Sequence, residues 1–148
     1  MIDRYTAADS LLGGETHRMK HALEDLMHRR PVWEALSDLY LDTDTSLSRT
    51  WRVGILASSP YSIDELTEIL ASEIYPVCSS NLVSVAGEWA GFDPQWLESS
   101  ILRHIQSSSY RWRRFSLGWL TLYLSWEWRQ TKLGILEHRS QKHESHAA

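Results

Sequence analysis

Two short stretches, "YSIDEL" at 61–66 and "FDPQWL" at 92–97, most constrain what this chain can fold into. Each spells out the start of a helix. In the first, Ser62 stands where a side-chain oxygen takes an orphan backbone N–H. Glu65, three residues on, reaches back to the cap's own N–H, which completes a capping box. Tyr61 before the cap and Leu66 after it can close a hydrophobic staple. In the second, Asp93 caps and Pro94 takes the first turn, where a missing N–H costs nothing, while Phe92 and Leu97 form the staple. Behind each signal, apolar residues recur at three and four. Ile63, Leu66, Leu70 and Ile74 make one stripe, closed by Pro76, and Leu97, Ile101 and Ile105 make another.

The same period runs through the N-terminal half. From Glu15 onward, Met19, Leu23, Leu26 and Met27 share a face. That helix is expected to stop near Arg29 and Arg30, because the residue before Pro31 is pushed out of the α region. Pro31 then opens a second helix with Val32, Leu36, Leu39 and Tyr40 inward. Ser46 caps a third, carrying Leu47, Trp51 and Ile55, with Gly54 inside it at a cost of about 1 kcal/mol relative to Ala. These patterns predict an all-α fold, a single compact helical domain of four to six helices over residues 14–109, behind a frayed N-terminus at 1–13.

The Trp-rich element at 110–137 reads two ways. Leu120, Leu122, Leu124, Trp126 and Trp128 alternate with Thr121, Tyr123, Ser125 and Glu127, as in a half-buried strand. Trp112, Phe115, Trp119, Leu122 and Trp126 also share one helical face. A lone strand leaves its backbone unpaired, so the all-α context tips the reading to helix. The polar residues 138–148, "HRSQKHESHAA", are expected to be a disordered tail.

Charge narrows the class of partner. The formal net charge of −4 conceals a division: residues 31–109 hold eleven acids against three bases, whereas 110–148 hold seven bases against three acids. An acidic middle argues against nucleic acid, which needs a basic surface, although "RWRRF" at 111–115 interleaves arginines with aromatics. It suits a basic protein partner drawn in by long-range steering. Eight tryptophans leave room for a homo-oligomer. The single cysteine, Cys78, excludes an internal disulfide and fits a reducing compartment. With no basic-then-apolar leader and no apolar run of about 18 residues, the expectation is a cytoplasmic protein with no membrane span.

Chemistry-bearing constellations are sparse. His17, His21, Glu24 and His28 are spaced four, three and four, so one helical face could carry all of them; that face lies opposite the apolar one, and no second element supplies a further zinc ligand. Asp42, Asp44 and Ser46 begin like a calcium loop, but Leu47 and Val53 stand where glycine and glutamate are needed. Cys78 lacks the local signature of a nucleophile, and no phosphate-binding glycine loop or metalloprotease motif occurs. No metal, no cofactor and no catalytic set is predicted.

The stretch "VAGEWAGFDPQWL" at 85–97 remains. Gly87 and Gly91 can take the positive φ of a chain reversal, letting Trp89 and Phe92 plug the gap between helices. The rival reading makes Trp89, Phe92 and Trp96, with Glu88, a binding surface, since tryptophan is enriched among interface hot spots. The expected function is a non-enzymatic protein–protein interaction module, in its concrete form a small acidic inhibitor or immunity-type protein. The alternative is an enzyme or small-ligand-binding module with a site around the 84–93 loop, assembled from Glu88, Asp93 and Cys78.

"RPVWEALSDLYLDT" at 30–43, "PYSIDELTEILASEIYPVCSSNL" at 60–82 and "SVAGEWAGFDPQWL" at 84–97 resemble a family of small bacterial proteins classed as a domain of unknown function. The resemblance covers roughly residues 30–105, and "AGEWAGF" is its most specific piece. It implies a fold unit and a bacterial source, and it carries no activity and no functional residue.

Overall fold

The computed structural model describes residues 19–41, 46–79, 91–107 and 125–147, and among them every regular element is helical. Helix α1 is Leu26–Ser37 and α2 is Arg49–Ser58. Helix α3, Ile63–Ile69, runs through a π turn at Leu70–Ile74 into α4, Tyr75–Cys78. Helix α5 is Pro94–Gln106 and α6 is Trp126–Ala147. Short 3-10 turns at Ala22–Glu24 and Asp38–Tyr40 flank α1. Helix α1 is central, touching α2, α5 and the π turn, while α6 lies along α2. The all-α expectation holds, in one domain with a single core that includes Val32, Trp33, Leu36, Leu56, Leu66, Leu70, Ile74, Leu97, Ile101, Trp128 and Ile135.

The two start signals do what their chemistry requires. The Ser62 hydroxyl accepts the Glu65 N–H at 3.2 Å while the Glu65 carboxylate accepts the Ser62 N–H at 2.7 Å. Tyr61 and Leu66 on either side are both buried. Asp93 accepts the Trp96 N–H at 2.7 Å, with Pro94 at the first helical position. Leu66, Leu70 and Ile74 are buried along one face, and so are Leu97, Ile101 and Ile105.

Both prolines that were expected to punctuate helices lie inside them. Residues 19–21 are not helical and α1 begins only at Leu26, so Pro31 falls in its second turn. A proline there removes one backbone bond and crowds the preceding turn, at about 3 kcal/mol. Burial of Arg29, Val32, Trp33, Ala35 and Leu36 along the same helix outweighs that cost. Leu23 and Met27, expected inward, are exposed. Pro76 likewise continues into α4 instead of ending the helix. The wide π turn just before it gives its ring room past the carbonyl four residues back.

Helix α2 turns a different face inward from the one expected. Leu47 and Trp51 are exposed, whereas Arg52 and Leu56 are fully buried. The cap also moves: Ser48, not Ser46, precedes the helix, and its hydroxyl donates to Asp38 at 2.5 Å. The reason is Arg52. Its guanidinium donates to Asp38, to the Glu127 carboxylate at 2.5 Å and to the Thr131 hydroxyl at 3.1 Å. Arg49 adds a two-pronged pair to Glu127, both contacts at 2.8 Å. A fully buried charge is tolerated only when paired and hydrogen-bonded, and this network rotates α2 to achieve it.

At the C-terminus, Trp126, Glu127 and Trp128 are helical; residues 120–124 of the strand-or-helix segment lie outside the described residues. Ser125 opens α6 by accepting the Trp128 N–H at 3.2 Å. The tail expected to be disordered from 138 onward continues this helix to Ala147. Arg139 is the anchor: it donates to the carbonyls of Leu56 and Ala57 in the last turn of α2 and of Ser59 and Tyr61 just after it, where helical carbonyls lack a partner further along the helix.

Two glycines report how closely α2 and α6 approach. A Cβ on Gly134 would sit 2.8 Å from a Val53 methyl, whereas a Cβ on Gly54 meets nothing within 4 Å. Gly54→Ala should therefore stabilise the protein by about 1 kcal/mol through helix propensity. Gly134→Ala should destabilise it, because overpacking costs about 1–3 kcal/mol and outweighs the same propensity gain. Thermal unfolding of the two variants checks the opposite signs.

Acid should act on the Arg52 network. Hydrogen bonding from Arg49, joined by the charges of Arg49 and Arg52, holds the Glu127 carboxyl below its ordinary value of 4.5 against the opposing push of burial. With the folded value depressed, its contribution is fully present above about 4.5 and is lost as pH falls through the folded value. A Glu127→Gln variant should show a shallower loss of stability over that acid range, measured by urea unfolding at a series of pH values.

Candidate functional site

The residues that the sequence marked as a binding surface fall into two groups. Glu88, Trp89 and Gly87 lie outside the described residues. Phe92, Asp93, Pro94 and Trp96 are described, and they form the entry to α5. Gly91 has φ of +140°, a conformation that suits glycine, and it turns the chain into that entry. Asp93 is committed to the cap. Phe92 packs against the core that includes Leu97, and its ring also stacks on Trp96. The ring centroids are 5.7 Å apart and the planes 11° from parallel. Trp96 stays 40% exposed while Leu97 beside it is buried. One aromatic is therefore held from behind by another and offers its remaining surface to solvent.

On the other flank of α5 a cleft of about 90 Å³ separates it from α1, lined by Arg30, Trp33, Glu34, Pro94, Gln95, Leu97 and Glu98. Arg30 clamps Glu98 with two contacts of 2.9 and 2.8 Å. Glu34, which lines the cleft, and Asp93, at the cap of α5, stay exposed. No described helix is long and apolar enough to cross a membrane.

A second cluster of chemistry-bearing groups is internal. Glu73, carried by the π turn, accepts the Trp33 indole N–H at 2.6 Å and lies 3.6 Å from the Arg29 guanidinium. Burial pushes its carboxyl above the ordinary value, opposed by Arg29 and Trp33. Arg29 also donates to the Lys20 carbonyl at 3.0 Å and stacks over the Tyr61 ring at 4.8 Å. The Tyr61 hydroxyl donates to Asp25 at 2.5 Å, and Asp25 pairs with His28 at 2.6 Å. Burial of Asp25 is outweighed by these two bonds, and its carboxyl sits below its ordinary range. This chain of contacts pins the segment before α1 to the start of α3.

The candidate histidine set does not assemble. His28 is used by Asp25 and His21 caps the Ala22–Glu24 turn, while His17 lies outside the described residues. Among the described residues no group of three or more His, Cys, Asp or Glu converges to hold a metal ion. Cys78 is fully buried and burial pushes its thiol up to about 12. A neutral thiol inside the core is a poor nucleophile, and the cap role of Asp93 removes the second member of the proposed loop site.

Sequence reasoning missed Arg29, Arg52 and Glu73 as buried groups. Arg29 stands three and four residues before Val32 and Trp33, so its spacing marked the inner face even though its charge marked the outer one. Arg52 similarly stands four before Leu56.

The geometry defines an all-α domain with a buried ionic framework and a solvent-facing aromatic pair. The chain belongs to the family described as a domain of unknown function (DUF7079), whose model matches residues 27–138. That span takes in most of α6, well beyond the 30–105 covered by the resemblance read from sequence. No curated protein and no solved structure matches the chain.

The buried thiol gives a direct check on this site. Native protein should react with a thiol reagent at neutral pH far more slowly than free cysteine, and unfolding in urea should restore the ordinary rate. Fast native labelling would return Cys78 to candidacy as a reactive group.

Proposed function

We propose that this protein is a non-enzymatic protein–protein interaction module, in its concrete form a small acidic inhibitor or immunity-type protein that covers a basic surface. The observation that carries the reading is the Phe92–Trp96 stack, which holds a partly exposed indole one turn from the exposed Asp93 carboxylate. A preorganised aromatic loses little freedom on binding and makes an effective anchor. The eleven acids against three bases over 31–109 would steer a basic partner toward it. A bacterial source and a cytoplasmic setting belong to the same reading.

Capture by the tagged full-length chain from host lysate, at low and high salt, tests it. One stoichiometric basic protein is expected, released at high salt and not retained by Trp96→Ala whose thermal unfolding matches the parent. Capture indifferent to both salt and Trp96, or no capture at all, would defeat the proposal.

A further inference from the structure

The cleft between α1 and α5 has walls fixed by contacts within the chain. Arg30 and Glu98 clamp the two helices together through a two-pronged pair. Trp33 is buried and its indole N–H is spent on Glu73, which leaves only apolar ring surface to the cleft. Leu97 is buried too, and Pro94 has no backbone N–H to offer. What the cleft presents to a ligand is what these contacts leave over. Arg30 and Glu98 satisfy each other, whereas the Glu34 carboxylate and the Gln95 amide have no side-chain partner among the described residues, and both are exposed. The lining therefore combines an apolar floor of Trp33, Pro94 and Leu97 with an unspent carboxylate and an unspent amide oxygen. Its formal charge is −1, Glu34 and Glu98 against Arg30.

We propose that this cleft takes a lysine side chain of the partner protein. An amphipathic cation matches such a lining. Lysine lays a flexible methylene stem along apolar surface and carries a compact ammonium at its tip. A space of about 90 Å³ accepts that unbranched stem, and the ammonium donates to the Glu34 carboxylate and the Gln95 amide oxygen. Arginine is the poorer fit. Its planar fork favours a carboxylate held for two parallel bonds, and the one so held, Glu98, is already taken by Arg30. The cleft opens on the first turns of α5, which also carry Trp96, so one segment of a partner can reach both. The indole supplies contact area there, and the cleft adds a requirement for positive charge at one fixed position. The choice of a protein lysine as occupant rests on the function proposed above; the chemistry of the cleft does not.

The test is a titration of the isotope-labelled full chain with the Nα-acetyl methylamide of lysine, followed by NMR. Saturable shifts are expected at the Trp33 indole N–H, the Gln95 side-chain amide and the backbone amides of Glu34 and Leu97, with a dissociation constant in the millimolar range. The matching norleucine compound, which has the stem without the ammonium, should give none. Glu34→Gln should weaken binding of the lysine compound about fivefold, the upper end for a solvent-accessible ion pair, with an unchanged thermal melt. Shifts that are absent from the cleft, shared with norleucine or indifferent to Glu34→Gln would overturn the proposal, and tighter binding of the arginine compound would overturn the choice of lysine. The two readings can fail separately. Salt-sensitive, Trp96-dependent capture without cleft shifts removes the cleft alone, whereas cleft shifts without capture defeat the function proposed above and leave a lysine-binding cleft.

Discussion

The architecture of this protein depends on a guanidinium with no access to water. Arg52 is fully buried and joins α2 to the Asp38 carboxylate after α1 and to Glu127 and Thr131 on α6. Removing one partner of such a buried pair typically costs about 3–5 kcal/mol, because the charge left behind has nowhere to be solvated. That penalty fixes the rotation of α2 about its axis. Once Arg52 faces inward, Leu56 follows one turn later and Trp51 must face out. The same network decides where α6 begins its contact with α2, and Arg139 at the far end decides how long the contact lasts.

A second ionic unit works on the other side of α1. Arg29 and Glu73 are both buried and are supported by Trp33, Tyr61 and the Lys20 carbonyl. The π turn is the backbone counterpart of this arrangement. It adds width where Glu73 must reach α1 and where Pro76 must continue the helix. Two polar frameworks flanking one apolar core make the relative placement of the helices specific, which hydrophobic packing alone would leave more degenerate. The aromatic pair at the start of α5 then stands on a rigid base, since Leu97, Ile101 and Ile105 lock that helix into the core.

The candidate site was legible in part. Asp93, Pro94 and Gly91 announce a turn followed by a helix, and the structure places them so. The sequence puts Trp96 on a surface only in the rival binding reading, because its neighbour Leu97 fits the buried stripe and a tryptophan beside it is equally at home inside or outside. The stack on Phe92 is a contact between a residue before the cap and one in the first turn, decided by side-chain geometry. Cys78 illustrates the opposite situation, in which residue type alone points to the interior.

By itself the sequence determined the helical class, the starts of α3 and α5, and the buried faces of both. Those features come from interactions within a few residues of one another, namely caps, staples and a three-to-four period. It also contained one local signal for α6 that alternation at 120–128 obscured: Ser125, three residues before Trp128, with acidic Glu127 in the first turn. Only the tertiary structure decided that Pro31 and Pro76 sit within helices and that Arg29 and Arg52 are interior. It also decided that the polar stretch after residue 137 stays helical to Ala147. The interior places of Arg29 and Arg52 and the extension of α6 depend on partners far away along the chain, Glu73, Glu127 and the carbonyls at the end of α2. No local pattern reports a carboxylate as distant as Glu127 is from Arg52, 75 residues on, and burying a charge is favourable only after that carboxylate has arrived.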